Sequence, residues 1–320
     1  HGRRLPAVPE GRARPAARSG PVGILRLRAL PRVHVHRARA LGPSRDGSGR
    51  RRRDAGARTG RERRARLIVA RPATAAEAAA WDGLVEATGR PQLLQTAGWA
   101  AVKAATGWRA ERFVLEGAGV AQVLLRELPL GISVAYAPRG PLVPAERLAA
   151  SIVALRSALA GRLCASLLCD PEVPDAPELR ADLARSGVRL APVFVQPRRT
   201  LVVDLARDPD ELLGAMRKKT RQYIRKAERS GVAIEETSDL ERFHRVLRAV
   251  ASRDRFGIHD LAYFVRLRDA LGDRLHVQMA RVGPDDAGAL LVARVGDRAW
   301  ELYCGWSGTH AGERPFYLLK

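Results

Sequence analysis

Two hydrophobic periodicities alternate along residues 67–320. The run LIVARP from Leu67 and the run RLCASLLC have the length and apolar content of strands. We expect the second strand to be buried together with its two thiols, Cys164 and Cys169. Over residues 145–160 the apolar positions instead recur every three or four residues, which predicts an amphipathic helix. The pattern therefore indicates a mixed α/β protein.

Helix starts are marked by side chains that can accept hydrogen bonds from free backbone amides. We expect the first helix to end at Gly89 and a long basic helix to run from Pro209 to Gly231, since glycine is a common helix stop. The predicted N-caps are Thr74, with Glu77 completing a capping box, Thr96, Ser238, with Glu241 completing a second box, and Asp260.

Strand-like runs separated by glycine turns predict antiparallel hairpins. WRAERFVLE and VAQVLLREL flank a GAG turn, and LHVQMARV, AGALLVARV and RAWELYCGW form a meander; TLVVDL, from Thr200, predicts one more strand. Helices precede a hairpin twice along the chain. We therefore expect two tandem α/β domains, at residues 67–198 and 199–320.

Charge is distributed unevenly. Residues 1–66 hold 20 arginines against four acidic residues and no aromatic residue, which accounts for +16 of the net charge of +22. Such a segment buries too little apolar area to fold. We expect a disordered leader, or upstream sequence that is not native; the alternative is an arginine-rich RNA-binding arm. The remaining +6 suits an anionic partner without requiring one.

Several kinds of chemistry are excluded by missing motifs. The chain has no G-x-S-x-G, no P-loop and no H-E-x-x-H, and no histidine lies between residues 37 and 243. No His, Cys and carboxylate cluster has metal-ligand spacing, and three cysteines exclude a disulfide scaffold. We expect no metal and no cofactor. No run spans a bilayer and no secretory signal is visible, so we expect a cytoplasmic protein.

Two signals point to anionic ligands. Residues 95–100 fit the loose acyl-CoA pattern Q-x-x-G-x-A, but no strand precedes them and Trp99 would crowd the phosphates. Residues 217–229 carry seven Lys or Arg against Glu228 alone. Like charges one turn apart destabilise a helix slightly unless a polyanion offsets them, so either an anion-binding face or a solvated face fits.

Five motifs in order resemble the FemA/FemB/FemX aminoacyltransferases over residues 67–320. They are QTAGWAAVK at 95–103, AYAPRGP at 135–141, KTRQYIRKA at 219–227 followed by GV, RFGIH at 255–259 continuing to Tyr263, and PFYLL at 315–319. Each motif alone is weak, and their shared order and spacing are specific. The chain lacks a charged helical hairpin before Ser238, and this resembles the FemX type.

The resemblance implies two tandem GNAT-like (acyl-CoA N-acyltransferase-like) domains, the second incomplete. It also implies transfer of an amino acid from aminoacyl-tRNA to the stem peptide of a muramyl-pentapeptide precursor, nucleotide- or lipid-linked. A lipid-linked acceptor would imply peripheral contact with the inner membrane face. The implied reaction needs no metal and no CoA.

Substrate-binding roles are carried over from the same motifs. Lys103 matches a lysine that contacts the acceptor diphosphate, and Tyr303 matches a strand tyrosine near the acceptor. His259 and Tyr263 match an R-x-x-x-Y pair at the diphosphate, with His in place of Arg, which loses a bidentate fork. Arg221 and Arg225 match the basic helix of the family.

The catalytic residue stays unassigned. The family places an F-K-x-G-F-G lysine beyond the PFYLL helix, so we expect it after Lys320, in sequence that this chain lacks. Two other functions are open: an acyl-CoA-dependent GNAT N-acyltransferase of polysaccharide synthesis, and a non-enzymatic basic RNA-binding protein.

Overall fold

The structure, a computed structural model, describes residues 68–192 and 194–320. The predicted leader at residues 1–66 and the predicted strand start at Leu67 lie outside the described residues. The first sheet contains β1 (Ala70–Pro72), β2 (Arg109–Leu115), β3 (Gly119–Glu127), β4 (Ser133–Ala137) and β5 (Cys164–Cys169). Its strands lie in chain order, and every pair is antiparallel except β4–β5.

Helices cover both faces of the first sheet. They are α1 (Ala75–Ala79), α2 (Trp81–Ala87), α3 (Ala97–Ala104), α4 (Leu148–Leu159) and α5 (Pro177–Arg185). Leu155 and Leu159 of α4 pack against Phe113 of β2 on one face. Trp81 of α2 packs against Val120 of β3 on the other face. The alternation along β2 and β3 thus serves two apolar layers.

The second sheet repeats the same order of helices followed by an antiparallel meander. Its strands are β6 (Ala233–Glu236), β7 (Leu275–Val282), β8 (Asp285–Val295) and β9 (Arg298–Trp306), again in chain order. The accompanying helices are α6 (Pro209–Ala215), α7 (Lys218–Arg229), α8 (Leu240–Asp254), α9 (Leu261–Leu271) and α10 (Pro315–Leu319). The expected mixed α/β fold is confirmed. The domain boundary at residue 198 falls in 186–208, which carries no described helix or strand, and it stays a prediction.

The second sheet is covered on both faces by different helix pairs. Tyr303 faces α8 and α9, where it joins the cluster that contains Phe243 and Phe264. Cys304, the next residue, faces α7 and α10 and joins the cluster that contains Ala227. Side chains one residue apart on β9 therefore belong to separate layers.

The two halves share one apolar core at the contact between α3 and α9. Trp99 and Val102 of α3 lie in the same buried cluster as Phe264 and Leu271 of α9. Gly98 makes the close approach possible, because a Cβ built there would lie 2.5 Å from the carbonyl oxygen of Ala270. A side chain at this position would push the helices apart.

Ion pairs at the same junction are secondary. Arg274 of the second half pairs with Asp82, and Arg298 pairs with Glu172 at 2.7 Å. All four side chains keep about a quarter to a third of their surface exposed, and such pairs contribute roughly 0–1 kcal/mol each. Since burying one large apolar side chain contributes about 1.5–3 kcal/mol, the apolar contact between α3 and α9 decides the association.

Part of the QTAGW and AYAPRGP motifs is structural. The Gln95 amide nitrogen donates to the carbonyl oxygens of Gln122, at 3.1 Å, and Pro138, at 2.8 Å, and its oxygen accepts from the Gln122 amide at 2.7 Å. Gly140 lies against this amide, where an added Cβ would come within 2.6 Å of Gln95 Nε2. The fully buried Gln95 thus ties the loop to the start of α3.

Three predicted N-caps are confirmed. Thr74 and Glu77 form both hydrogen bonds of the capping box. Thr96 Oγ1 accepts from the Trp99 amide, and Asp260 accepts from the Tyr263 amide. Ser238 does not cap its helix. Asp239 does, since its carboxylate accepts from two amides of the first turn of α8.

Two helices predicted as continuous are broken. The first is interrupted at Ala80, after which Trp81 is fully buried and donates its indole N–H to the carbonyl of Gln95. The basic helix is interrupted at Met216, whose ψ of 157° is extended. The Arg221 guanidinium donates to the Met216 carbonyl and so satisfies the exposed end of α6. Both breaks depend on contacts beyond the local sequence.

Two predicted strands differ from expectation. TLVVDL forms no strand, and Leu201 and Leu205 are exposed, because no described strand pairs with this segment. RLCASLLC is a strand but lies at the sheet edge, so that Ser166 is exposed and Cys164 and Cys169 are only half-buried. The prediction of a buried strand there was wrong.

Replacing Gly98 with Ala should destabilise the protein by about 1–3 kcal/mol, because the new methyl group overlaps the Ala270 carbonyl. Gly83→Ala is the matched control. It also lies inside a helix, but nothing lies within 4 Å of its added Cβ, so it should stabilise by up to ~1 kcal/mol. Urea unfolding measures both changes. Equal stability of the two variants would contradict the close contact between α3 and α9.

Candidate functional site

A short loop places His259 and Tyr263 side by side. Arg255 ends α8 in the left-handed conformation, with φ of 56°, and the chain turns toward α9. Asp260 Oδ1 accepts from the Tyr263 amide at 2.9 Å and starts α9. His259 precedes this cap and Tyr263 follows it, so that their rings stack with centroids 3.8 Å apart. The Nε2 atom of His244 lies 3.1 Å from the carbonyl oxygen of His259, and this contact holds the loop in place.

Tyr303 reaches the same place from the second sheet. Its hydroxyl donates to the hydroxyl of Tyr263 over 3.3 Å, and its ring lies edge-on to His259 with centroids 6.2 Å apart. The Phe264 ring packs edge-on against the Tyr303 ring, with centroids 5.0 Å apart. The β8–β9 register shifts at Leu291, the partner of Tyr303, and such bulges bend a strand and re-aim the neighbouring side chain.

Lys103 comes to this cluster from the first half of the chain. It lies near the end of α3, and its ammonium nitrogen is 5.1 Å from the centroid of the Trp99 ring. Burial lowers the pKa of Lys103, and its charge is close enough to lower the pKa of His259. The junction between the halves therefore assembles one site from Lys103, His259, Tyr263 and Tyr303.

The cluster combines a positive charge with neutral hydrogen-bonding groups. Burial, followed by the charge of Lys103, holds the pKa of His259 below its ordinary value, so the ring is neutral at physiological pH. Burial also raises the pKa of both phenols, so Tyr263 and Tyr303 stay protonated. The positive charge of Lys103 among neutral donors suits an anionic ligand.

Arg266 is a nearby cation that the motifs did not indicate. It lies one turn after Tyr263 on α9, and its charge lowers the pKa values of both His259 and Tyr263. Its guanidinium is exposed and 3.9 Å from Asp260. The i,i+3 spacing from Tyr263 is the sequence signal that could have found it. Arg266 thus adds a second cation within electrostatic reach of His259 and Tyr263.

Arg221 and Arg225 lie elsewhere. Both are on α7, which covers the face of the second sheet opposite to Tyr303. Arg221 also donates to the Gly214 carbonyl at 3.1 Å, so it holds the end of α6. Arg225 is exposed. The structure thus separates the basic helix from the other four candidate residues.

The Q-x-x-G-x-A segment does not form a phosphate loop. The Ala97 amide donates to Asp82 Oδ1 at 2.7 Å, and the Trp99 amide donates to Thr96 Oγ1 at 3.2 Å. Gly98 itself is covered by Ala270 and Leu271. These partners occupy the start of α3, where an acyl-CoA pyrophosphate would need free amides.

Comparison with known proteins follows the same motifs. Residues 188–287 match the model of the FemAB family. The resemblance to the FemA/FemB/FemX proteins is confirmed. The matched range of this FemAB-like chain contains His259 and Tyr263, and it also contains Arg221 and Arg225 of α7.

Curated relatives and a solved structure agree with this match. Lipid II:glycine glycyltransferase from Staphylococcus aureus strain MRSA252 is 28% identical over 209 residues, which cover 59% of this chain and 50% of that protein. The protein of the same name from strain NCTC 8325 gives the same figures. The FemAB-like chain thus spans about half the length of the curated relatives it matches.

The crystal structure of FemX shares the fold. It aligns with a TM-score of 0.70 and 20% identity, over 78% of this chain and 83% of that one. This likeness concerns the fold, and it agrees with the mixed α/β architecture of two helix-covered sheets. Within residues 68–192 and 194–320, no helix combines the length and the apolar character that crossing a membrane requires.

The pH dependence of stability should report on His259. Because its folded pKa is lowered from 6.5, the unfolded chain binds more protons at this residue. The stability that neutral His259 contributes is fully present above its pKa in the unfolded chain. It is lost as the pH falls toward its pKa in the folded protein. Urea unfolding at about pH 7.5 and about pH 5.5 should therefore show a larger acid loss in the natural protein than in His259→Gln. An equal loss in both proteins would mean that the folded protein leaves His259 solvated.

Proposed function

We propose that this FemAB-like chain belongs to an aminoacyltransferase that moves an amino acid from aminoacyl-tRNA to the stem-peptide amine of a peptidoglycan precursor. The observation that carries the proposal is the joining of Lys103, His259, Tyr263 and Tyr303 across the junction of the two halves. The names of the curated relatives support the same reaction class. Donor and acceptor meet at the cytoplasmic side in this proposal, since charged tRNA is a cytoplasmic molecule.

The cluster would hold the phosphate-bearing part of the acceptor. Lys103 acts as a point charge toward the diphosphate, and Arg266 adds a second cation from α9. The hydroxyls of Tyr263 and Tyr303 orient the acceptor by hydrogen bonds, and both stay neutral because burial raises their pKa values. Neutral His259 donates or accepts a hydrogen bond in place of the arginine fork of the family motif.

The chemistry needs alignment more than it needs a strong base. The neutral amine attacks the activated ester carbonyl, a C–N bond forms, and the ester C–O bond breaks. The ribose oxygen of the tRNA is the leaving group. It takes up the proton that the attacking amine loses and departs as a hydroxyl group. Holding both reactants in contact supplies much of the rate.

The geometry does not favour the acyl-CoA alternative. At the start of α3 the amides of Ala97 and Trp99 already donate to Asp82 and Thr96, and α9 covers Gly98, so a pyrophosphate would have to displace these contacts. The RNA-arm alternative rests on residues 1–66, which lie outside the described residues.

A transfer assay tests the proposed function. The protein is incubated with tRNA carrying a radiolabelled amino acid and with a muramyl-pentapeptide precursor. Separate arms contain a nucleotide-linked and a lipid-linked acceptor. We expect label in the acceptor peptide, and none when free amino acid with uncharged tRNA or acyl-CoA replaces the donor. No transfer from any aminoacyl-tRNA would contradict the proposal.

Replacing Lys103 with Ala should raise the KM for the acceptor by about tenfold, the loss expected for one partly buried charge contact with a phosphate. The free energy of unfolding should change by no more than ~1 kcal/mol, because only the contact with the Trp99 ring is lost. Lys226→Ala is the matched control, since Lys226 is exposed on α7 across the second sheet. An unchanged acceptor KM in Lys103→Ala would remove Lys103 from the site.

A further inference from the structure

An open groove of about 590 Å³ runs along the exposed side of α8 and ends beside the candidate site. It is lined by Arg245, Arg248, Ser252, Phe256 and Ile258, among others. The first three follow the helical spacing i, i+3, i+7, so they form one stripe on α8. Phe256 and Ile258 come from the loop that joins α8 to α9.

The groove adjoins the aromatic cluster at Ile258, which packs against the core that contains Tyr263 and Tyr303. Ile258 lines the groove, and the next residue, His259, stacks on Tyr263. His244, directly before Arg245, holds the His259 carbonyl at 3.1 Å. One end of a ligand lying in the groove would therefore be close to the His259 and Tyr263 rings.

The charge of the groove is positive and unpaired. Neither the Arg245 nor the Arg248 side chain has a hydrogen bond or an ion pair within the described part of the chain. Asp286 lies within electrostatic reach of Arg245, but its carboxylate already accepts two hydrogen bonds from Arg242, at 2.6 and 3.1 Å. Two guanidiniums one turn apart are thus available to an anionic ligand.

Phe256 indicates what kind of anion fits. Its side chain keeps 39% of its surface exposed, at the edge of a groove lined by arginines. A phosphate alone gains nothing from an aromatic ring, whereas an unstacked base gains stacking energy from it. Guanidiniums that follow a backbone beside an aromatic face are the usual means of binding single-stranded RNA.

We propose that this groove binds the single-stranded 3′ end of the donor RNA. Arg245 and Arg248 contact successive phosphates, one base stacks on Phe256, and the ester-linked amino acid at the terminus reaches the cluster of Lys103 and Tyr263. This assignment rests on the proposed function, because that function supplies the RNA donor. It adds the place where the donor lies.

Binding of a fluorescently labelled single-stranded RNA with the 3′ acceptor-end sequence of a tRNA tests the groove, measured by anisotropy. Arg245→Ala/Arg248→Ala should weaken binding at least tenfold. It should also reduce the slope of log K against log salt by about 1.4, or about 0.7 for each lost phosphate contact. Phe256→Ala should weaken binding at least fivefold, and Phe256→Tyr should retain affinity because it keeps the stacking face.

Lys226→Ala/Arg229→Ala is the charge-matched control. Both residues are exposed on α7, on the far face of the second sheet, and their loss removes the same two charges. RNA affinity should change less than twofold. An equal loss in both double variants would overturn the proposal, since binding would then follow net charge. Thermal unfolding checks each fold, and Arg245→Gln/Arg248→Gln replaces the alanine pair if that pair unfolds.

Two further outcomes separate this proposal from the proposed function. If groove variants bind the RNA normally but lose affinity for uridine diphosphate, the groove serves a nucleotide-linked acceptor and the RNA assignment is overturned. If transfer proceeds and the KM for charged tRNA is unchanged in Arg245→Ala/Arg248→Ala, the groove proposal alone fails. If groove-dependent RNA binding is present without transfer, the groove stands and the proposed function fails.

Discussion

The packing of α3 against α9 is the contact on which the candidate site depends. Gly98 lets the backbone of α3 come within reach of the Ala270 carbonyl, and Trp99 and Val102 then enter the core of the second half. This packing brings Lys103, from the half that contains the first sheet, close to the aromatic rings of the second half. The exposed ion pairs around it contribute too little to set that geometry.

The family motifs combine two kinds of residue that sequence alone does not separate. Gln95 and Gly140 are buried and hold the AYAPRGP loop against β3 and the start of α3. Lys103, at the end of the same motif as Gln95, is partly exposed, and its charge is close enough to the ring cluster to lower the pKa of His259. The buried hydrogen bonds of Gln95 thus fix the position of α3, and the partly exposed Lys103 on that helix is available to a ligand.

How well each element could be predicted followed the range of the interactions that form it. The capping box of Thr74 and the cap of Asp260 are local and were predicted correctly. The break at Met216 depends on Arg221 donating to a carbonyl across the gap, and periodicity does not report such a contact. TLVVDL has the pattern of a strand, but a strand needs a neighbour, and none pairs with it in the described residues. Arg266 belongs to no motif, and only its spacing from Tyr263 indicates it.

A core shared by the two halves restricts how substrates can enter. Domains joined by a small polar contact can hinge, whereas here Trp99, Val102 and Leu271 lie in a single buried cluster. Moving the two halves apart would expose that cluster to water at a cost of several kcal/mol. The two halves therefore keep a fixed spacing around Lys103, His259, Tyr263 and Tyr303. A ligand of this cluster would meet a preformed surface, and the halves would not close around it.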